Sequence, residues 1–149
     1  MNEDLIALAR ENVDAFNADD WDRFAATLAS NCVYEEPGTQ RRVAGTEAIL
    51  DVNRGWKAAF QDATGTVTDA FACADRVAVQ VIWQGTQSGA LQLPGGGEVP
   101  ATNREVNVQA CQVMRVADGK IVEVCHYFDV LGMLEQMGAV SEEALAQAG

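Results

Sequence analysis

Residues 115–138 read RVADGKIVEVCHYFDVLGMLEQMG and form the most informative stretch of this 149-residue chain. The pattern predicts a strand, a tight Asp-Gly turn, a second strand and a short amphipathic helix. Asp129 is suited to cap that helix at its N-terminus, and Gly138 is suited to end it. The second strand carries His126, the only histidine in the chain. Because imidazole changes its charge between pH 5 and 8, His126 is a candidate for proton transfer.

The chain before this stretch changes from helical to strand periodicity near residue 64. Apolar spacing predicts three helices, over residues 3–16, over a segment capped by 17–20, and from 46 to 60. Their buried faces would carry Val13, Phe16, Trp21, Phe24, Leu28, Ile49, Val52, Trp56 and Phe60. Segments rich in Val, Thr, Ile and aromatic residues predict strands over 31–36, 64–73, 76–87, 105–116 and 120–128. Helices followed by antiparallel strands are typical of the α+β class.

This order predicts a single α+β domain over residues 1–149. A curved, mainly antiparallel sheet of four long strands and a short one would wrap around three N-terminal helices as a cone. The concave side of such a sheet can hold a pocket. The Gly/Pro-rich segment 89–102 is predicted to be an irregular loop of the kind that often has a function. Ser141 is a candidate cap for a last short helix.

Composition argues against several classes of function. The net charge is −12, from 22 acidic and 10 basic residues, so nucleic acid and anionic membranes are not expected partners. No apolar run approaches the ~20 residues that cross a bilayer, and the N-terminus lacks a signal-peptide pattern, which predicts a cytoplasmic protein. The four cysteines have no C-x-x-C spacing, so we expect no zinc site and interpret them as small buried residues. They are Cys32, Cys73, Cys111 and Cys125.

Alternation along the last two strands divides their side chains between two faces. One face of the final strand carries Val122, Val124, His126 and Phe128, and the other carries Ile121, Glu123, Cys125 and Tyr127. The second face continues onto Cys111 and Val113 of the preceding strand. It is more apolar than a monomer usually leaves exposed, which predicts a homodimer through the outer face of the sheet.

Two registers of the last hairpin are possible. A two-residue turn pairs Ala117 with Lys120, and a three-residue turn pairs Val116 with Lys120. The second register is preferred because it gathers the apolar residues of both strands onto one face. It makes Gln112 and His126 diagonal neighbours, and the two polar groups of that face. Two buried polar groups that face one concavity indicate a site; the alternative is that they satisfy each other in an ordinary core.

The segment 83–138 also contains a set of short motifs. They are Gly85-x-x-x-Gly89, Leu93-Pro94, Met114-Arg115-x-x-Asp118-Gly119-Lys120-Ile121, and Phe128-Asp129 followed by Leu134-x-Gln136-x-Gly138. In these motifs the chain resembles the SnoaL-like polyketide cyclases, within the superfamily of nuclear transport factor two and ketosteroid isomerase. The helical first half fits the family in order and length, so the resemblance covers almost the whole chain.

The resemblance implies an α+β cone that is usually dimeric and works without a metal or an organic cofactor. Cyclases of this family close a ring by intramolecular aldol condensation. Their proton-transferring aspartate falls at His126, and an assisting histidine falls at Gln112. A related epoxide-hydrolase branch has Asp-Tyr-Phe-Asp at residues 126–129, again with a carboxylate at the position of His126. Tyr34 falls at a polar pocket position of the family.

These observations predict a cofactor-independent acid/base enzyme, of cyclase, isomerase or lyase type, that acts on a small, mostly apolar carbonyl compound or epoxide. His126 would be the general base, Gln112 an orienting or carbonyl-binding donor, and Tyr34 a donor to a substrate oxygen. Burial would keep the imidazole neutral. The predicted pocket lining is Trp56, Trp83, Met114, Val124 and Phe128. The alternative is a non-catalytic small-molecule-binding or dimerisation module of the same fold.

The direction of three further polar side chains stays open. Glu35 or Glu36 would supply a carboxylate partner for His126 if either pointed inward. Gln87 would reach the pocket if a bulge followed Gly85. The sequence contains no Ser-His-Asp arrangement, phosphate loop or metal cluster, which argues against the enzyme classes built on them.

Overall fold

The structure is a computed structural model that describes residues 2–139, so the predicted cap at Ser141 lies outside the described residues. Its elements are α1 (Asn2–Asn17), α2 (Trp21–Ala26), β1 (Leu28–Glu36), β2 (Arg41–Ala44), α3 (Thr46–Ala59), β3 (Thr64–Cys73), β4 (Arg76–Thr86), β5 (Leu91–Gln92), β6 (Glu98–Val99), β7 (Glu105–Ala117), β8 (Lys120–Phe128) and α4 (Val130–Gln136). Within this range, no helix is long and apolar enough to cross a membrane.

Six strands form one sheet in the order β2-β1-β8-β7-β4-β3. β1 and β8 run parallel, and every other neighbouring pair in this sheet is antiparallel. α1 packs against β3 and β4, while α3 packs against β1, so the N-terminal helices cover one face of the sheet. The prediction of an α+β fold, with a curved sheet around N-terminal helices, is confirmed.

The core consists of two adjoining hydrophobic clusters. The first joins α1, α2 and α3 to the sheet, and Phe16 and Ile49 belong to it. The second lies between α3, β5, β7 and α4, and Phe60 belongs to it. Trp56 and Trp83 pack against both clusters. Any space between the two clusters therefore has these indoles on its walls.

Three regions differ from the predicted elements. β1 begins at Leu28, because α2 ends at its C-cap Thr27 and leaves Leu28 to pair with Ile121 of β8. β2 and the short β5–β6 pair are absent from the predicted set. Segments this short have little periodic signal, and β5 is held by the buried side chain of Leu91. The segment 89–102 therefore contains a small hairpin and is not wholly irregular.

The last hairpin follows neither predicted register along its whole length. Asp118 and Gly119 have positive φ angles of 52° and 75° and form a two-residue turn in which Ala117 pairs with Lys120. Such a turn matches the right-handed twist of the flanking strands. The preferred three-residue turn is therefore wrong. A β-bulge at Val122 then shifts the register by one residue.

The bulge changes which side chains face the core. Ile121 is fully buried, although alternation predicts it on the outer face, and Val122 is only half-buried. Beyond the bulge, His126 lies directly opposite Gln112 and not diagonal to it. Directly opposite residues have Cβ atoms about 4.5–5.5 Å apart. The two polar side chains of the inner face are therefore closer together than the predicted register places them.

Two side chains of the C-terminal motif hold α4: one caps the helix, and the other bonds it to the sheet. Asp129 caps the helix by accepting a hydrogen bond from the Gly132 N–H at 2.9 Å, as predicted. Gln136 Oε1 accepts from the Asn107 N–H at 2.6 Å, and Gln136 Nε2 donates to the Asn107 carbonyl at 3.0 Å. Gln136 thus takes the place of a strand partner for β7 where β8 has already ended.

Asp129→Ala is expected to lower the free energy of unfolding by about 1 kcal/mol, the usual cost of losing an N-cap acceptor. Urea denaturation of the wild type and the variant measures this change. Asp129→Asn is the matched control, because its side-chain oxygen can still accept from the Gly132 N–H. Unchanged stability together with lost activity in Asp129→Ala would show that the residue has a role other than the cap.

Candidate active site

A cavity of about 90 Å³ lies between the helices and the sheet. Its wall includes the three predicted catalytic residues and four of the five predicted lining residues: His126, Gln112, Tyr34, Trp56, Trp83, Val124 and Phe128. Among the described residues, no Lys, Arg, Asp or Glu lines it. Residues 2–139 also contain no group of three His, Cys, Asp or Glu side chains that could hold a metal ion. The site is a largely apolar space with a few uncharged polar groups.

Met114 is the predicted lining residue that lies elsewhere. It shares the inner face of β7 with Gln112 but lies two residues closer to the hairpin turn, about 6–7 Å along the strand. There it is fully buried in the first hydrophobic cluster, between Val77 and Val124 on the neighbouring strands. The prediction is wrong for Met114 because alternation indicates the face of a strand and not how far along it the cavity extends.

A chain of hydrogen bonds connects an indole to a buried carboxylate through the cavity wall. Trp83 Nε1 lies 3.2 Å from His126 Nε2. His126 Nδ1 lies 2.9 Å from the Tyr34 hydroxyl, which donates to Glu36 Oε2 at 2.5 Å. The order of the sheet makes this possible, because β8 lies next to β1 and only β7 separates it from β4.

The donors of this chain determine the tautomer of His126. An indole N–H can only donate, so Nε2 of His126 must accept from Trp83. Neutral imidazole then has its proton on Nδ1, which donates to the Tyr34 oxygen and leaves the Tyr34 proton for Glu36. All three bonds therefore point in one direction, toward the carboxylate. His126 keeps an unprotonated nitrogen on the side of Trp83.

Glu36 ends the chain in a fully buried position. Besides Tyr34, its carboxylate accepts from Trp56 Nε1 at 2.9 Å and from Thr39 Oγ1 at 2.8 Å. Arg41 Nη1 lies 3.2 Å from Glu36 Oε1. A buried carboxylate is tolerated when it is paired and hydrogen-bonded. These donors accommodate a negative charge on Glu36. Tyr34 lies between this charge and the imidazole of His126.

Burial dominates the acid–base behaviour of the site. It lowers the pKa of His126 from 6.5 to about 4, while the Glu36 charge has a smaller, opposite effect. Burial also raises the pKa of Tyr34 well above its usual range, and the neighbouring Glu36 raises it further. At pH 7 the site therefore holds a neutral imidazole and a neutral phenol. The direction of the His126 shift agrees with the sequence prediction.

The Tyr34 hydroxyl already has a hydrogen-bond partner on each side. Its proton is donated to Glu36, and its oxygen accepts from His126. Glu36 shares the inner face of β1 two residues away, and a charged carboxylate is a stronger acceptor than a neutral oxygen. Donation by Tyr34 to a substrate oxygen stays a prediction, and it would require Tyr34 to give up its bond to Glu36.

Gln112 has free hydrogen-bonding capacity inside the cavity. The residue is 5% exposed, and its amide has no hydrogen-bond partner in the described part of the chain. In the same range every side-chain N or O atom has either a hydrogen-bond partner or some accessible surface. The amide therefore faces the cavity that Gln112 lines. Gln112 and His126 lie opposite each other without satisfying each other, unlike the alternative raised from the sequence.

Trp83 reaches His126 because residue 65 is a glycine. A Cβ atom at Gly65 would lie 2.5 Å from the indole ring, too close for any real contact. Asn17 holds this backbone with two hydrogen bonds of 2.8 Å, one from Gly65 N and one to Gly65 O. Phe16 meets the indole edge to face, with the ring centroids 5.1 Å apart. The indole of Trp83, which donates to His126, is therefore itself held in place by the residues packed around it.

Glu36 is the site residue whose direction the sequence leaves open. Tyr34 and Glu36 have the same parity on one strand, so an inward Tyr34 implies an inward Glu36. Glu35 points outward and is exposed. Gln87 is fully buried but lies outside the cavity wall, where it holds the segment 89–102 by three hydrogen bonds. The parity of Glu36 with Tyr34 is the sequence signal that could have predicted its inward direction.

Comparison with known proteins identifies a family and several solved structures of similar fold. The family model described as SnoaL-like polyketide cyclase matches residues 6–137. No curated protein matches the chain. Among solved structures, IdmH of Streptomyces antibioticus, a proposed polyketide cyclase, is 30% identical in sequence. Its match covers 89% of this chain and 96% of that chain, with a TM-score of 0.74.

Two further solved structures are similar in fold. A proposed SnoaL-like polyketide cyclase from Jannaschia sp. CCS1 is 20% identical over 94% of this chain and 95% of that chain, with a TM-score of 0.82. An LEH-like epoxide hydrolase from M. tuberculosis is 20% identical over 99% of this chain and 98% of that chain, with a TM-score of 0.71. The family match includes both the wall of the cavity and the last hairpin. This chain belongs to the SnoaL-like polyketide cyclase family.

Proposed function

We propose that this protein is a cofactor-independent acid/base enzyme, of cyclase, isomerase or lyase type, that acts on a small, mostly apolar carbonyl compound or epoxide. The observation that carries the proposal is the directed chain of hydrogen bonds from Trp83 through His126 and Tyr34 to Glu36. Family membership supports an enzyme of this general type. The uncharged wall of the cavity supports an uncharged substrate, since a buried ion would lack a partner there.

Substrate binding must first free the basic nitrogen of His126. In the free protein the Trp83 N–H occupies the Nε2 lone pair. A substrate oxygen inserted between the two rings accepts from Trp83 and brings the neighbouring C–H or O–H group to Nε2. The indole N–H then stabilises the negative charge that develops on that oxygen. The free amide of Gln112, opposite His126, is placed to supply a second donor.

The proton then passes to Nε2 of His126. The C–H bond next to the carbonyl breaks, its electron pair forms an enolate, and the imidazole becomes an imidazolium that still donates from Nδ1 to Tyr34. The carboxylate of Glu36, on the far side of the Tyr34 hydroxyl, offsets the new positive charge. With an epoxide, the same base removes a proton from the attacking hydroxyl, whose oxygen forms a new bond to an epoxide carbon. The C–O bond of the ring breaks at that carbon, the ring oxygen takes its electron pair, and the imidazolium returns a proton to that oxygen.

The pKa of about 4 sets the pH range of this chemistry. A base with this pKa is present in its active, neutral form at pH 7, although it provides less driving force than a base closer to neutrality. This pKa already includes the effect of the Glu36 charge, which raises it by stabilising the imidazolium. The rate is therefore expected to rise with pH through the acidic range and to be flat near pH 7.

A non-catalytic small-molecule-binding module of the same fold is the second candidate. Two observations favour it: Trp83 already occupies Nε2 of His126, and burial makes the imidazole a weak base. The two candidates differ in one respect that can be measured. An enzyme loses turnover when His126 is replaced, whereas a binding module has no turnover to lose.

His126→Gln is expected to lower kcat by about 10²–10⁴-fold, the usual contribution of a positioned general base. The assay is a panel of activated ketones, enones and epoxides, with turnover of any accepted compound followed against pH. Gln112→Leu is expected to lose less than His126→Gln, because it removes one donor and leaves the base.

Gln109→Leu is the matched control for Gln112→Leu, because Gln109 is exposed on the same strand. It is expected to keep wild-type turnover. Full activity of His126→Gln on the accepted compound would contradict the mechanism. A complete absence of turnover across the panel, combined with binding of those compounds, would favour the binding module.

We also propose that the protein forms a homodimer through the outer face of the sheet. Tyr127 is 52% exposed on this face, and Cys111, Val113 and Cys125 beside it are half-buried. Ile121 no longer contributes, because the bulge turns it into the core. The remaining apolar side chains adjoin one another on one face, which is typical of an interface, and a second copy of the chain would cover them.

Light scattering at micromolar concentration is expected to give twice the chain mass of 16.0 kDa. Tyr127→Arg is expected to shift the protein toward the monomer, because it places a charge in the proposed interface. Leu131→Arg is the matched control, since Leu131 is similarly exposed, at 48%, but lies on α4. A wild-type mass of one chain would overturn this proposal.

A further inference from the structure

We propose that the helical wall of the cavity is a second recognition site, in which the side-chain carbonyl oxygens of Asn12 and Asn53 accept hydrogen bonds from hydroxyl or N–H groups of an uncharged ligand. This inference deepens the proposed function and rests on it for the identity of the cavity as the substrate pocket. Asn12 belongs to α1 and Asn53 to α3, and both line the cavity.

The orientation of Asn12 follows from its partner. The Thr27 hydroxyl donates its proton to the Phe24 carbonyl at 2.7 Å. Thr27 Oγ1 can therefore only accept from Asn12, which must present its Nδ2 to it, at 2.9 Å. Asn12 Oδ1 is left as an acceptor, and it has no hydrogen-bond partner within residues 2–139.

The orientation of Asn53 follows in the same way. Its Nδ2 donates at 2.8 Å to the carbonyl of Ile49, one turn earlier in the same helix. A carbonyl oxygen can only accept, so the amide cannot be turned around. Asn53 Oδ1 also has no hydrogen-bond partner among the described residues. Both asparagines thus offer an oxygen and not an N–H group as their free end.

These oxygens are buried without being enclosed. Asn12 is 5% exposed and Asn53 is 9% exposed. In the described range, every side-chain N or O atom has either a hydrogen-bond partner or some accessible surface. The two oxygens therefore border free volume. The cavity is the free volume that both residues line. A polar group in this position costs free energy unless something bonds to it.

Fold stability does not explain Asn53. Its one hydrogen bond goes to a carbonyl of its own helix, a type of bond that competes with helical hydrogen bonding. Asparagine also has a lower helix propensity than leucine or alanine. An apolar residue would therefore suit a buried position in the middle of α3 better than Asn53 does. A ligand that donates to its oxygen accounts for the residue.

The chemistry of the wall defines the class of ligand. Uncharged carbonyl oxygens accept from O–H and N–H groups and repel anions. The opposite wall, on the sheet, supplies the donors of Trp83 and Gln112 for a ligand oxygen. The ligand that fits both walls is an apolar body with an oxygen acceptor at one edge and a hydroxyl or N–H donor at the other.

The test uses 4-methoxyphenol, 1,4-dimethoxybenzene and 4-hydroxybenzoate as probes, titrated at pH 7 into ¹⁵N-labelled protein and followed by NMR. Both neutral probes offer an oxygen acceptor, but only 4-methoxyphenol carries a hydroxyl donor. The wild type is expected to bind 4-methoxyphenol about fivefold more tightly than 1,4-dimethoxybenzene, the effect of one hydrogen bond. The anionic 4-hydroxybenzoate is expected to bind most weakly. In Asn53→Leu the preference for 4-methoxyphenol is expected to fall below twofold.

Asn31→Leu is the matched control, because Asn31 is exposed on β1 and does not line this cavity; it is expected to keep the wild-type preference. Asn53→Ala removes the oxygen without filling the cavity, so it is expected to lose the preference even if leucine blocks all binding. The inference is overturned if Asn53→Ala keeps the full preference, if 4-hydroxybenzoate binds most tightly, or if no probe binds the wild type.

These outcomes are separable from the proposed function, because binding of the probes requires no proton transfer. An unchanged preference in Asn53→Ala combined with lost turnover in His126→Gln would overturn the second recognition site and leave the enzyme proposal intact. A lost preference in Asn53→Ala in a protein that turns over no compound would support the recognition site and contradict the enzyme proposal.

Discussion

A carboxylate that is closed off from water must be surrounded by donors, and Glu36 imposes this requirement on the whole site. Tyr34 and Trp56 are two of its donors, and the β1–β2 connection and the start of β2 supply one more each. Because Tyr34 gives its proton to Glu36, its oxygen has to accept one from His126. The identity of the unprotonated imidazole nitrogen is therefore a consequence of a buried charge on the other side of a tyrosine.

The sheet brings this arrangement together through one local irregularity. The bulge at Val122 lies just after the two-residue turn and sets the register of the rest of the β7–β8 pair. Without the extra residue, His126 would face a different neighbour, and the two strands would lose the direct pairing of His126 with Gln112. The parallel pairing of β1 with β8 then places Tyr34 next to the imidazole. One inserted residue thus aligns the base, its partner and the free amide.

Much of the fold could be predicted from the sequence, because its signals are local. Helical spacing, strand composition, the Asp129 cap and the Asp-Gly turn each depend on a few neighbouring residues. The register could not be predicted, because the turn and the apolar pattern favour different pairings and a bulge satisfies both. The direction of Glu36 was within reach through its parity with Tyr34. The free oxygens of Asn12 and Asn53 could not be predicted. They depend on the orientation of each side-chain amide, which is set by its hydrogen-bond partner in the folded protein.

The single histidine allows the central claim, a neutral His126 held as the Nδ1–H tautomer by a buried chain, to be measured directly. Long-range ¹H–¹⁵N correlation spectra report both ring nitrogens of His126 as a function of pH. We expect a protonated Nδ1 and an unprotonated Nε2 at pH 7, with no protonation of the ring until the pH approaches about 4. An Nε2–H tautomer, or titration of the ring near its ordinary pKa of 6.5, would contradict the claim.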